Sequence, residues 1–213
     1  MPEDLRHRAV VILERLNTAY PDARCSLDFS SPFQLLIATI LSAQSTDARV
    51  NLVTPELFAR FPNPEAFVAA SIEEIEAMIR STGFYHNKAK SVQGASRMIV
   101  EEFGGQVPAT MPELLRLPGV ARKTANVVLG NAFGIVEGVV VDTHVGRISR
   151  RLGFSTNEDP VKVEADLMAL LPQASWLDYV HQVIWHGRAV CMAKKPTCSV
   201  CVLASECPSA FSV

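Results

Sequence analysis

The chain has 213 residues, 48% of them hydrophobic and 20% charged, an ordinary globular composition that excludes a disordered or fibrous protein. Its 20 Lys and Arg against 22 Asp and Glu give a formal net charge of −2, a balance that at first speaks against a nucleic-acid protein, which is expected to be basic. No stretch reaches the roughly 18–20 uninterrupted apolar residues of a membrane span, and the start Met1-Pro2-Glu3-Asp4 lacks the basic lead and apolar middle of a secretory signal, so no membrane partner and a cytoplasmic location are expected.

Apolar residues recur at helical spacing over residues 8–19 (Val10, Val11, Leu13, Leu16), 33–43, 66–80 and 89–103. Turn chemistry separates them: Tyr20-Pro21-Asp22, Phe61-Pro62-Asn63-Pro64, Gly104-Gly105 and Val107-Pro108. Ser71 followed three residues on by Glu74 fits a capping box, so a helix should begin there. Val136–Val141 is the only β-looking run, short and isolated. The pattern predicts an all-α protein of about ten short helices. Nothing suggests an oligomer, and a monomer is expected.

Charge is unevenly distributed along the chain. Residues 1–79 carry 6 basic and 11 acidic side chains, residues 80–151 carry 10 and 5, and residues 152–213 carry 4 and 6. A basic middle segment in an acidic chain reads either as a local anion-binding face or as solvated helix faces. Within it, Leu114–Leu129 reads as helix, tight turn, helix, with Pro118-Gly119 reversing the chain. The second helix opens with Ala121-Arg122-Lys123-Thr124, and its first N–H groups, with the helix dipole, favour an anion such as a phosphate. A plain helical corner is the bland alternative. Lys123 sits at the end of the dipole that disfavours positive charge. With partial burial, its pKa would fall and expose a nucleophilic amine able to form a Schiff base. Asp142, after the apolar run 136–141, is expected to be an N-cap and could also take a proton or stabilise a developing cation. His144 is either a phosphate or base contact or a structural histidine.

Five cysteines do not form a disulfide framework in a chain of this kind. Cys25 stands alone and reads as a small buried hydrophobe. Cys191, Cys198, Cys201 and Cys207 crowd one short stretch, with gaps of six, two and five residues, and point to a metal centre. The two wide gaps favour a [4Fe–4S] cluster, and zinc stays open on spacing alone.

These motifs together resemble the endonuclease III family of helix-hairpin-helix DNA glycosylases. The resemblance spans nearly the whole chain. It rests on Leu41–Asp47 (Leu-Ser-Ala-Gln-Ser-Thr-Asp), Gly83–Ala89 (Gly-Phe-Tyr-His-Asn-Lys-Ala), Leu117–Val128 (Leu-Pro-Gly-Val-Ala-Arg-Lys-Thr-Ala-Asn-Val-Val), Val141–His144 (Val-Asp-Thr-His) and the four cysteines. It implies removal of oxidised pyrimidines from double-stranded DNA, with AP lyase cleavage at the resulting or pre-existing abasic sites. Lys123 would attack C1′ and become a Schiff base, and Asp142 would assist it. Gln44 would fill the gap left by the flipped base, Phe84 would lie on the loop wedged into the opposite strand, and Gly119, Ala121 and His144 would contact DNA. The cysteines would hold a [4Fe–4S] cluster with no redox step in the chemistry.

The implied fold has two helical domains with the DNA cleft between them. One is a six-helix domain over 25–136 that carries the hairpin at about 113–133. The other is a cluster domain formed by 1–24 plus 137–213. Lys123 and Asp142 would then face each other across the cleft. Two departures from the family pattern stand out. Ala121 replaces the second hairpin glycine, which predicts weaker or altered DNA affinity if that position needs positive φ or bare backbone. Thr82 stands where a bulkier apolar residue is usual. The rivals are an adenine-specific mismatch glycosylase, which lacks the hairpin lysine and has an early carboxylate absent from Ser31–Thr46, and a non-catalytic DNA-binding iron–sulfur module. A mildly acidic glycosylase should also bind undamaged DNA weakly and lose it as salt rises.

Overall fold

The computed structural model describes residues 3–212; Met1 and Pro2, part of the start read above, and Val213 lie outside the described residues. Among the described residues there are eleven α-helices and no strand. The β-looking run Val136–Val141 is an irregular connection in which Val139 and Val140 are buried, so apolarity there serves packing and no ladder forms. Contacts divide the chain into two units, Cys25–Ile135 and the described part of Met1–Arg24 with Val136–Val213.

In the first unit, α2 (Pro32–Leu41), α3 (Asp47–Arg60), α4 (Pro64–Ala69), α5 (Ile72–Ile79), α6 (Tyr85–Phe103), α7 (Met111–Leu114) and α8 (Arg122–Val128) pack around one core. Helix α2 is apolar on every side, with Phe33 and Leu35 through Leu41 all buried, which is the signature of a central helix. Ser31 caps it through Gln34 N, and Pro32 occupies its first turn, where a missing N–H costs nothing. The predicted helix 66–80 divides into α4 and α5 at Ala70-Ser71. The capping box at Ser71 is the cause: its hydroxyl accepts from Glu74 N while Glu74 returns to Ser71 N. Helix α8 runs on into a π-turn at Leu129–Phe133 that ends at left-handed Gly134.

In the second unit, α1 (Glu3–Ala19), α9 (Thr143–Arg151), α10 (Pro160–Leu170) and α11 (Trp176–Ala189) bury Ile12, Leu16, Ile148, Leu167, Tyr179 and Val183 together with Val139. The Tyr179 hydroxyl is fully buried and satisfied by Ser149 Oγ at 2.9 Å. Helix α11 crosses α9 at Gly187, where a Cβ would lie 2.7 Å from His144 Nδ1 and 2.8 Å from Ile148 Cδ1. Residues after α11 form the irregular cysteine loop, with short 3₁₀ turns at Cys198–Val200 and Ala204–Glu206.

Candidate active site and metal centre

The hairpin between α7 and α8 turns on Gly119, whose φ of +79° is in the left-handed region. A Cβ there would sit 2.7 Å from Ser91 Cβ on α6, so glycine is required twice over, by conformation and by space. Ala121 differs: its φ is −98° in extended backbone, and it is the N-cap of α8. The conformational half of the concern about this alanine is therefore removed, because no positive φ is needed. Ala121 makes no side-chain capping bond, so the first N–H groups of α8 have no side-chain acceptor from their own cap.

Lys123, in the first turn of α8, is exposed. The partial burial expected for it is not present, and its placement at a helix start is what remains of that argument.

Gln44 and Phe84 share an unusual backbone. Gln44, just after α2, has φ of +53°, and Phe84, just before α6, has φ of +47°. Both are left-handed without being glycine, and both are exposed, Phe84 by 63%. Such conformations cost of order 1–2 kcal/mol and cluster at functional sites. Thr82 is the opposite case. It is 2% exposed, its hydroxyl donates to Ile79 O at 2.8 Å, and its carbonyl accepts from Lys88 Nζ at 2.8 Å. Thr82 thus shapes the loop from beneath, and Phe84 is the apolar side chain that the loop presents. Lys88 is buried, and burial holds its ammonium below the usual lysine range.

Asp142 is the N-cap of α9, its Oδ1 accepting from Val145 N at 2.8 Å; Oδ2 is outside that bond. Two residues on, His144 Nδ1 lies 3.2 Å from Arg147. From the same helix, Arg147 donates to the carbonyls of Gly187 and Cys191, and Arg151 donates to Met192 O at 2.8 Å and Ala193 O at 3.1 Å. One helix therefore carries Asp142 at its start and grips the cysteine loop from its later turns.

Cys191, Cys198, Cys201 and Cys207 all line one cavity of about 300 Å³, part of it open to solvent. Arg151 donates to Cys191 Sγ at 3.2 Å, and Cys201 Sγ lies 3.5 Å from His186 Nε2. Burial pushes the Cys201 and Cys207 thiols up, and the charges of their sister cysteines add to it. Thiols so placed ionise together only around a cation. Among the described residues no three His, Cys, Asp or Glu side chains are grouped so as to hold a single metal ion, while the four cysteines line one shared pocket. Cys25 is half-buried against the core of the other unit, where burial raises its thiol.

Several of the basic side chains counted between 80 and 151 are bound to partners within the protein. Lys88, Arg147 and Arg151 are bonded to backbone carbonyls, and Arg116 pairs with Glu102. The anion-facing charge is smaller than the count. The spacing of Arg147 and Arg151 (i, i+4) puts them on one face of α9, but their partners 40 or more residues away have no signature in sequence. The same holds for Tyr20, whose hydroxyl meets His186 across 166 positions.

Comparison with known proteins fixes what this arrangement belongs to. Residues 37–173 match the HhH-GPD superfamily of base excision DNA repair proteins. Over 205 residues the chain is 59% identical to endonuclease III of Synechocystis sp., covering 96% of this chain and 94% of that protein. The chain belongs to the endonuclease III family. Another endonuclease III, from Escherichia coli K12, is 40% identical over 196 residues, 92% of each chain. A solved non-covalent endonuclease III–DNA complex superimposes with a TM-score of 0.92 at 42% identity, covering 100% of this chain and 98% of that one. A trapped endonuclease III–DNA covalent intermediate gives the same TM-score and identity. The activity is that of the endonuclease III family: base excision repair of oxidised pyrimidines by a DNA N-glycosylase that is also an AP lyase.

Proposed function

We propose that Lys123 is the nucleophile and Asp142 the assisting carboxylate of this reaction, acting on oxidised pyrimidines and abasic sites in double-stranded DNA. The observation that carries the reading is the hairpin itself. A turn that only Gly119 can make delivers an exposed lysine to the first turn of α8, in a chain 42% identical to a protein solved as a trapped covalent intermediate with DNA.

The damaged nucleotide leaves the stack, and its weakened stacking lowers the cost of extrusion. Gln44 and Phe84, held in left-handed backbone, occupy the vacated gap and the opposite strand. The amine of Lys123 attacks C1′, the C1′–N bond breaks, and the base departs with the bonding electrons and takes a proton. Asp142 accepts the proton lost by the amine, or faces the sugar cation as charge develops. Opening of the sugar ring leaves a protonated Schiff base between Lys123 and C1′. Loss of a C2′ proton then expels the 3′ phosphate by β-elimination, and water hydrolyses the imine to restore the lysine. Backbone at Gly119 and Ala121 would take a phosphate, and His144 would contact DNA. Lys123 also argues against the mismatch glycosylase, which lacks a nucleophile at that position.

Cys191, Cys198, Cys201 and Cys207 would hold a [4Fe–4S] cluster; four cysteines lining one pocket, with Arg151 donating to the Cys191 sulfur, support a metal centre, and their gaps of six and five residues favour a cluster over zinc. When bound, the cluster supplies a cross-link of the loop that α9 grips and no step of the base-removal chemistry.

A duplex carrying one thymine glycol tests the assignment. The wild-type protein releases the base and cuts the strand; Lys123→Gln loses both, and Asp142→Asn slows both by about 10²–10⁴-fold. Strand cutting at the wild-type rate by Lys123→Gln would contradict it.

A further inference from the structure

His186, on the last turn of α11, is 1% exposed, and both of its ring nitrogens have partners. Nδ1 lies 2.8 Å from the hydroxyl of Tyr20, the residue that follows α1, and Nε2 lies 3.5 Å from Cys201 Sγ. The Tyr20 ring meets the imidazole edge-on, with centroids 5.7 Å apart at 71°. The His186 carbonyl accepts from Cys191 N at 2.9 Å. One residue thus touches the ligand set at both ends: the sulfur of Cys201 and the backbone of Cys191.

The chemistry of the partners decides which nitrogen carries the hydrogen. A cysteine sulfur bound to metal can only accept, whereas a phenol can donate or accept. An acceptor nitrogen turned toward a thiolate would be repulsive. The arrangement that satisfies all three groups has the Tyr20 O–H donating to Nδ1 and the Nε2–H donating to Cys201 sulfur. A hydrogen bond to a ligating sulfur withdraws electron density and favours the reduced form of a cluster.

We propose that Tyr20 and His186 form a relay that holds an N–H on the Cys201 sulfur and thereby raises the reduction potential of the cluster and slows its loss. The relay rests on the cluster reading above. Tyr20 acts through His186 and is a positioning residue. Tyr20→Phe is the informative variant, because it keeps the ring and its edge contact and removes only the O–H. Without that donor, the imidazole can carry its hydrogen on Nδ1 and turn a bare Nε2 toward the sulfur.

The test uses the purified holoprotein. Iron and sulfide content are measured first, then the midpoint potential of the bound cluster by voltammetry and the first-order rate of its loss in air. The expected result is four iron and four sulfide in the wild type, as a [4Fe–4S] formula requires. Tyr20→Phe should show a lower potential and several-fold faster loss, and His186→Gln a shift in the same direction. An unchanged or raised potential in Tyr20→Phe, with a full cluster in both proteins, would overturn the relay while leaving the cluster reading intact. A wild-type protein carrying zinc or no iron would overturn both.

Discussion

Gly119 and Ala121 occupy the two glycine positions of the hairpin pattern, and the structure separates their roles. At Gly119 an alanine would adopt a left-handed conformation, costing about 1–2 kcal/mol, and press on Ser91 Cβ at 2.7 Å, an overpacking worth about 1–3 kcal/mol. Gly119→Ala should therefore lower unfolding free energy by about 2–5 kcal/mol in denaturant melts. Ala121→Gly, at a φ of −98° that any residue adopts, should move it by less than about 1 kcal/mol. Equal effects at the two positions would contradict this division. The sequence places the reversal at Pro118-Gly119 and leaves open whether position 121 also needs positive φ. Phe84 and Thr82 teach the same lesson: the periodicity gives no hint that the threonine turns in toward Ile79 and Lys88 while the phenylalanine stands out.

Helix α9 joins Asp142, the proposed assisting carboxylate, to the cysteine loop. Asp142 caps its start, and Arg147 and Arg151 hold the carbonyls of residues 187–193. Its contact with α11 is close enough that Gly187 has no room for a Cβ against His144, Ile148 and Arg147. Gly187→Ala should push α9 from α11, costing about 1–3 kcal/mol by overpacking. It should also loosen the Arg147 bond to Cys191, so that bound iron is lost faster on chelator challenge. A variant with wild-type melting and wild-type iron loss would show that the crossing has slack. Much at this scale was legible in advance, because helix formation is local: the periodic segments, the capping box at Ser71 and the N-cap at Asp142 all depend on residues within one turn of each other. Val136–Val141 looks β-like because a buried connection and a strand draw on the same apolar residues. The grip of α9 on the loop, and the meeting of Tyr20 with His186, are long-range and leave no local pattern.

At the scale of the molecule, the formal charge of −2 conceals a basic middle segment, but part of that excess is used within the protein by Lys88, Arg116, Arg147 and Arg151. Long-range attraction to DNA should accordingly be weak, and on the proposed reading contacts at the hairpin and at the loops of Gln44 and Phe84 would supply specificity. Lys123, as the proposed nucleophile, would form a covalent bond with the sugar. Borohydride reduction during reaction with a duplex containing a single abasic site captures that bond as a stable amine. The wild-type protein should form a protein–DNA adduct whose crosslinked peptide contains Lys123, and Lys123→Ala should form none. An adduct mapped to another residue, or no adduct from the wild-type protein, would contradict the account.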